Sequence, residues 1–148
     1  MDTGLRVVIG LAEGEHLTLE PIRRNHPACT DFWDGNWVAC GIDVKVGGFR
    51  GHVDADLRAE EFVTFREGLQ RLYDQLAGEA VFRTMEHWLT IHVDGNGRGH
   101  FEAQCELRDE PGMGNRLVFS LAFDQTELLP MLRSLDAVLR AFPVIGRP

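Results

Sequence analysis

The sequence predicts a single α+β domain over residues 1–148, with a curved antiparallel β-sheet of about six to eight strands and two helices packed on one face. Most extended segments alternate apolar and polar side chains, which is typical of an antiparallel sheet with one face in solvent. Two other segments place apolar residues every three or four positions, as amphipathic helices do. A length of 148 residues fits one domain whose core needs neither metals nor disulfides.

The composition disfavours several classes of protein. A hydrophobic fraction of 44% and a charged fraction of 26% are ordinary for a globular protein, so we do not expect disorder. The net charge of −8 argues against direct binding to nucleic acid or to anionic membranes, because both usually require basic surfaces. The N-terminus lacks the pattern of a signal peptide, and no segment is apolar enough to span a membrane. We therefore expect a cytoplasmic protein.

The first strands are short and surround a turn. Residues 5–11 and 16–20 read as two strands on either side of Gly14, and Pro21 is expected to interrupt regular structure. Residues 21–36 then form a long connection. These N-terminal strands and the start of the connection make up residues 1–28 of the predicted domain.

A hairpin and a helix follow. Residues 37–46 alternate in polarity, Gly47 and Gly48 form the turn, and the return strand should face inward at the positions Phe49, Val53, Ala55 and Leu57. Apolar residues then recur at helical spacing over about residues 59–77, where Gly78 is a plausible C-terminal stop.

The second half repeats this order of strands and helix. Strands are predicted at 80–84, 88–93, 100–108 and 117–123, with turns at 94–97 and 109–115. Asp124 and Glu127 form the capping-box pattern of a second helix, with Pro130 near its first turn and Pro143 at its end. The tripeptide Arg-Gly-His occurs at 50–52 and again at 98–100, through either an internal repeat or similar turn chemistry.

Several acidic side chains should point away from the core on the solvated face of the sheet. Polar residues are required there by the alternation itself, and Lys45, Arg50 and Arg108 are mixed among the acids, so catalysis is not favoured. Such a face can instead dock a protein of complementary charge. The candidates for partner binding are Asp43, Asp54, Asp56, Glu102 and Glu106.

Three histidines offer an alternative, which is a small enzyme or a ligand-binding site on the same face. His52, His92 and His100 all have outward parity and could combine with nearby carboxylates. Their spacing matches no metal-binding motif, so scattered surface histidines and no bound metal are the expectation.

Neither a nucleophile nor a cofactor is indicated. No nucleophile elbow is present, and the glycine-rich stretches precede strands rather than phosphate-binding helices. Cys29, Cys40 and Cys105 are widely spaced and odd in number, which suits free thiols, and Cys40 and Cys105 should point into the core.

The stretch DFWDGNW at residues 31–37 combines two tryptophans with turn residues. Asp34 and Gly35 suit a tight turn into the strand that begins at Trp37, and Trp33 can bury a large area against the sheet or a helix end. An exposed tryptophan pair would instead be a binding hot spot, but we favour the structural role for Trp33, Asp34, Gly35 and Trp37.

Several of these segments resemble the WapI-like immunity proteins, a family of small bacterial cytoplasmic proteins. The resemblance covers residues 29–144 and rests on DFWDGNW, GGFRG, LRAEEFVTFREGLQRLY, GRGHFEAQCELRDEPGMGNRLVFSLAFDQTELL and AFPV. It implies a non-enzymatic protein, without cofactor, that binds and neutralises the C-terminal domain of a contact-dependent toxin. Such a toxin domain is typically a nuclease, and a basic one would suit the acidic charge of this chain.

Overall fold

Eight strands form two separate four-stranded antiparallel sheets in the computed structural model, which describes residues 5–148. The first sheet pairs, in sequence order, β1 (Val7–Gly10), β2 (His16–Arg24), β3 (Trp37–Val46) and β4 (Phe49–Arg58). The second sheet pairs β5 (Ala77–Arg83), β6 (Leu89–Asn96), β7 (His100–Glu110) and β8 (Met113–Asp124). The helices are α1 (Phe32–Gly35), which is a single turn, α2 (Ala59–Gln75) and α3 (Gln125–Ala141).

The α+β class and the antiparallel pairing are confirmed, but the prediction of one curved sheet is wrong. Helix α2 intervenes between β4 and β5, and these two strands belong to different sheets. The sheets instead approach each other where β1 lies near β8 and β4 lies near β7. Alternation of side chains shows which side of a strand is buried, but it does not show which strands share a ladder.

The chain contains a structural repeat of four strands followed by a 17-residue helix. Both helices have a glutamate at the third position whose side chain accepts from the N-cap N–H, and both bury the fourth, seventh, eleventh and fourteenth residues. The two Arg-Gly-His tripeptides do not belong to this repeat. Arg50 lies on the fourth strand of the first sheet, whereas His100 opens the third strand of the second. Their similarity therefore reflects turn chemistry.

One continuous apolar core joins both sheets and the two long helices. Helix α2 packs closely on β5, because a Cβ atom at Gly68 would lie only 2.8 Å from that of Ala80. The ring of Phe82 on β5 lies 5.4 Å from that of Phe62 and 5.5 Å from that of Phe65. Helix α3 lies against β1 of the first sheet. Among residues 5–148, no helix is both long and apolar enough to cross a bilayer.

Three local predictions are corrected by the structure. Pro21 does not end its strand, since it lies inside β2 at a register shift before Arg23, and a bulge tolerates the missing N–H. Leu76, with a φ of 62°, caps α2 instead of Gly78, which belongs to β5. Pro130 lies in the second turn of α3 rather than the first.

A buried arginine at the end of β4 holds the DFWDGNW stretch in place. Arg58 is 1% exposed, and its guanidinium donates to the backbone carbonyls of Trp33 and Phe32, both at 2.7 Å. It also donates to Glu60 Oε2 at 2.5 Å. The rings of Phe32, Trp33 and Trp37 lie 5.2, 5.7 and 4.8 Å from its Cζ atom. Cation–π contacts and hydrogen bonds together compensate the buried charge.

The same stretch also contacts the C-terminal segment. Asn36 is fully buried, its side-chain amide donates to the carbonyls of Phe32 and Ile145, and its oxygen accepts from the Ile145 N–H. Gly35 is buried as well, and an added Cβ would lie 2.4 Å from Ile145 Cδ1. The same Cβ would lie 3.0 Å from the backbone oxygen of Cys29, so a larger residue at position 35 would require its neighbours to shift.

The predicted structural roles in DFWDGNW are met only in part. Asp34 is exposed, and its N–H donates to the Asp31 carboxylate that caps α1. Trp37 is half-buried beside Arg58. Trp33, however, is 55% exposed, so the expectation that it buries a large area is wrong. Its backbone carbonyl, rather than its indole, makes the hydrogen bond that anchors the stretch.

Glu61, in the first turn of α2, is a partly buried carboxylate. Its two oxygens accept from the backbone N–H groups of Arg58 at 2.8 Å and Met85 at 2.6 Å. Burial nevertheless raises the pKa of Glu61 to about 7. Because the folded pKa lies above that of the unfolded chain, this group contributes most stability below pH 4.5, and the contribution is lost as pH rises through 7.

We expect Arg58→Ala to lower the free energy of unfolding by about 3–5 kcal/mol, because it removes one partner of a buried ionic contact. Arg58→Lys should lose about 1–3 kcal/mol, since an ammonium group cannot satisfy both carbonyls in the planar fork geometry. Arg133→Ala, at an exposed position of α3, is the control and should stay within about 0.5 kcal/mol of the original. Urea unfolding followed by tryptophan fluorescence measures all three. If the Arg58→Lys variant were as stable as the unmutated protein, the role assigned to the planar guanidinium group would be contradicted.

We further expect Glu61→Gln to flatten the pH dependence of stability between pH 5 and 8, because it removes the group whose proton the folded state retains. Glu127→Gln is the matched control, since Glu127 occupies the same capping-box position in α3. Urea unfolding at several pH values measures the effect. If Glu61→Gln and the original protein lose stability equally as pH rises, the prediction fails.

Candidate functional site

The outer face of the first sheet carries three of the predicted acidic residues. Asp43 on β3 and Asp54 and Asp56 on β4 are all exposed, as their alternation predicts. Asp56 accepts a hydrogen bond from the Asn25 amide at 2.9 Å. Lys45 and Arg50 are directly opposite each other toward the hairpin end of the same strands. This face is therefore mixed in charge rather than uniformly acidic.

His52 is held between two carboxylates at the centre of this face. Its Nδ1 lies 2.7 Å from Asp43 Oδ1, and its Nε2 lies 2.9 Å from Asp54 Oδ1. A carboxylate oxygen only accepts, so both contacts are hydrogen bonds when the ring carries a proton on each nitrogen. The hydrogen bonds that His52 donates to Asp43 and, second, to Asp54 raise the pKa of His52 above its ordinary value. The ring thus links the two carboxylates.

The remaining acidic candidates lie on the outer face of the second sheet. Glu106 is half-buried and paired with Arg108 at 3.2 Å and with Arg116 at 3.8 Å. Glu102 is exposed and lies directly across from Asp94 in the β6–β7 ladder. Asp94 is in turn opposite Glu79 in the β5–β6 ladder. The five predicted acids are thus divided between two sheets and do not form one continuous site.

The three histidines are also separated. His52 belongs to the first sheet, whereas His92 and His100 lie on β6 and β7 of the second. His92 Nε2 is 2.6 Å from Glu79 Oε2 and 3.6 Å from Asp94 Oδ1. The single His52–His92–His100 site of the alternative hypothesis is therefore not assembled. Glu79 and Asp94 were not among the predicted site residues, although the tripeptide His-Val-Asp occurs at both 52–54 and 92–94 and could have indicated them.

A cleft lies where the hairpin ends of the two sheets meet. We call it the hairpin cleft; it is lined by Phe49 and His52 from the first sheet and by Leu107, Arg116 and Leu117 from the second. The prediction that Phe49 faces the core is wrong, because its side chain is 65% exposed. Phe49 is the first residue after the turn, and at this position the strand extends beyond the edge of the core. Met113 and Val118 of β8 are similarly exposed, at 67% and 65%.

The cysteines offer no reactive thiolate in the core. Cys40 and Cys105 are buried, and burial raises the pKa of each thiol to about 12. A thiol with such a pKa stays protonated at neutral pH and is a poor nucleophile. Cys29 is half-buried, close to Asp31 and Asp34.

We expect His52 to titrate above its ordinary pKa of 6.5 in an NMR titration of its ring protons. The stability that this group contributes is present below pH 6.5 and is lost as pH rises through the folded pKa. Asp43→Asn should lower this pKa more than Asp54→Asn, because the bond to Asp43 is the larger cause. Asp56→Asn, which leaves both contacts intact, is the control. A ring that titrates at or below 6.5 would contradict the double hydrogen bond.

Comparison with solved structures shows the fold. "Crystal structures of trypanosoma bruciei MRP1/MRP2" matches 95% of this chain and 86% of the other, with a TM-score of 0.51 and 15% identity. "Structure of a guideRNA-binding protein complex bound to a gRNA" matches 95% of this chain and 91% of the other, with a TM-score of 0.51 and 14% identity. At such low identity the likeness extends to architecture alone. No curated protein matches the sequence significantly.

The comparison with protein families is specific. The model of the immunity protein WapI-like family matches residues 8–143, which include every strand pair, both long helices and the DFWDGNW stretch. This range also includes most of residues 1–28, which contributed little to the resemblance seen in the sequence. The resemblance is thereby confirmed, and the chain belongs to the immunity protein WapI-like family.

Proposed function

We propose that this chain is an immunity protein that binds a bacterial toxin domain directly and neutralises it without any chemical step. The observation that carries the proposal is the family match over residues 8–143. The physical properties of the chain agree with it, because inhibition by binding requires a rigid surface of suitable shape and charge, and no reactive group.

The best candidate for the binding surface is the hairpin cleft together with the adjacent Asp43–His52–Asp54 cluster. His52 belongs to both, since it lines the cleft and contacts both carboxylates. Protein interfaces typically combine exposed aromatic anchors with a polar surround. Phe49, which is 65% exposed, would supply the anchor, and the carboxylates would supply the charged rim.

The carboxylates of this cluster, and Asp56 beside it, make hydrogen bonds within the chain. His52 contacts Asp43 and Asp54, and Asn25 donates to Asp56. Ordering free side chains upon association costs affinity, so contacts that restrict them beforehand reduce that cost. Together with a net charge of −8, they would attract a basic domain and speed its association. A basic nuclease domain is the partner that fits best.

RNA is a weaker candidate for the same surface. One structural neighbour is described as a guide-RNA-binding complex, but its likeness to this chain concerns the fold. RNA-binding faces are generally basic because they must neutralise phosphates. The proposed surface combines the carboxylates of Asp43 and Asp54 with Arg50 and Arg116 of the cleft, so it is not the uniformly basic face that RNA binding requires.

Co-expression with a toxin C-terminal domain tests the function, and a domain encoded by a gene adjacent to that of this chain is the first choice. We expect growth to be rescued and a one-to-one complex to be observed by size-exclusion chromatography with light scattering. Failure of both rescue and complex formation with that domain would remove the proposed function.

Variants of the same complex test the surface separately. We expect Phe49→Ala to weaken binding by at least about 30-fold, as the loss of a hot-spot residue does. Asp43→Asn combined with Asp54→Asn should mainly slow association and reduce its dependence on salt. Tyr73→Ala and Glu67→Gln on α2 are the matched controls and should leave binding unchanged. If a tight complex forms but the Phe49 and aspartate variants bind normally, the toxin contacts another surface.

A further inference from the structure

We propose that Glu79, His92 and Asp94 form a binding site for one divalent transition-metal ion, best suited to Zn²⁺, on the outer face of the second sheet. The inference concerns a different sheet from the proposed toxin-binding surface and does not depend on that function. It rests on the convergence of three ligand atoms from two neighbouring strands.

The geometry of the three side chains is favourable. One oxygen of Glu79, one oxygen of Asp94 and one ring nitrogen of His92 all lie within 4.8 Å of one another. The Nε2 of His92 is 2.6 Å from the Glu79 oxygen and 3.6 Å from the Asp94 oxygen. In a tetrahedral zinc site with bonds of about 2.0–2.1 Å, ligand atoms are roughly 3.3 Å apart. The separations must therefore change by up to about 1.5 Å, which rotation of these solvent-accessible side chains between staggered rotamers can supply.

The register of the strands produces this convergence. His92 and Asp94 are two residues apart on β6, so both project from the same face. Glu79 is directly opposite Asp94 on β5. Opposed carboxylates in adjacent strands repel each other, and a metal ion bound together with His92 would offset this repulsion.

Three protein ligands leave the fourth zinc position open. Glu102 on β7 lies directly opposite Asp94, on the other side from Glu79, but its carboxylate is not among the three converging ligand atoms. Zinc sites with three protein ligands take a water molecule in the fourth position, and the same is expected here.

The ligand set favours zinc over magnesium or calcium. An imidazole nitrogen combined with carboxylates suits Zn²⁺, whereas Mg²⁺ and Ca²⁺ prefer oxygen ligands alone. The related tripeptide His52-Val53-Asp54 does not form an equivalent site. Its two carboxylate partners bind opposite nitrogens of the ring, so neither nitrogen faces both carboxylates.

Titration of the chelator-stripped full-length chain with ZnCl₂ in a calorimeter tests the proposal. We expect one Zn²⁺ per chain. His92→Ala should lower the association constant by more than about 100-fold, because losing a ligand costs more than losing an outer partner, which costs about 10- to 100-fold. Asp94→Asn and Glu79→Gln should also weaken binding. MgCl₂ in place of ZnCl₂ should give no saturable binding.

Two controls distinguish this site from other histidines and thiols. His52→Ala occurs in the same tripeptide on the first sheet and should leave zinc binding unchanged. Cys29→Ser, next to Asp31 and Asp34, should leave it unchanged as well. Circular dichroism should show that metal-free His92→Ala retains its fold. Absence of saturable zinc binding, or binding that survives His92→Ala, or an equal loss in His52→Ala or Cys29→Ser would overturn the proposal.

Discussion

The fold of this chain depends on the compensation of one buried positive charge, that of Arg58. This charge lies at the junction between the two halves of the chain. Arg58 ends β4 and immediately precedes α2, so it lies where the first sheet turns into the first long helix. An uncompensated charge at this depth would cost several kcal/mol, and the chain compensates it with two backbone carbonyls, one carboxylate and three aromatic rings. The position of DFWDGNW follows from that requirement, and the packing of Asn36 against the C-terminal Ile145 follows in turn.

The outer faces of both sheets belong neither to this junction nor to the core. The core is formed by the inward residues of the strands and by the buried stripes of α2 and α3. Outward residues such as Asp54 and Asp94 pair with histidines on the same face. Substitution there changes little in the core, which allows such surfaces to vary for binding while the fold is kept.

The sequence predicted the orientation of side chains far better than the arrangement of strands. The outward positions of Asp43, Asp54, Asp56 and Glu102 follow from a two-residue period, which is a local property. The division into two sheets depends on how α2 packs, which no local pattern reports. The role of Arg58 could not be predicted either. The sequence pattern places it at the outward-facing end of a strand and does not indicate that aromatic rings surround it. The prediction that Phe49 faces the core was wrong because periodicity does not show where along a strand the core ends.

The two His-Val-Asp tripeptides have the same sequence but different side-chain contacts, because their strands pair with different residues on the neighbouring strands. On β4, His52 is directly opposite Asp43, while Asp54 is opposite Gly41, so the two carboxylates reach opposite nitrogens of the ring. On β6, it is Asp94 that is opposite a carboxylate, Glu79, while His92 is opposite Val81. Both carboxylates then approach the same nitrogen of His92. The first arrangement places one carboxylate at each ring nitrogen, whereas the second places two carboxylates at one nitrogen, and only the pairing between strands distinguishes them.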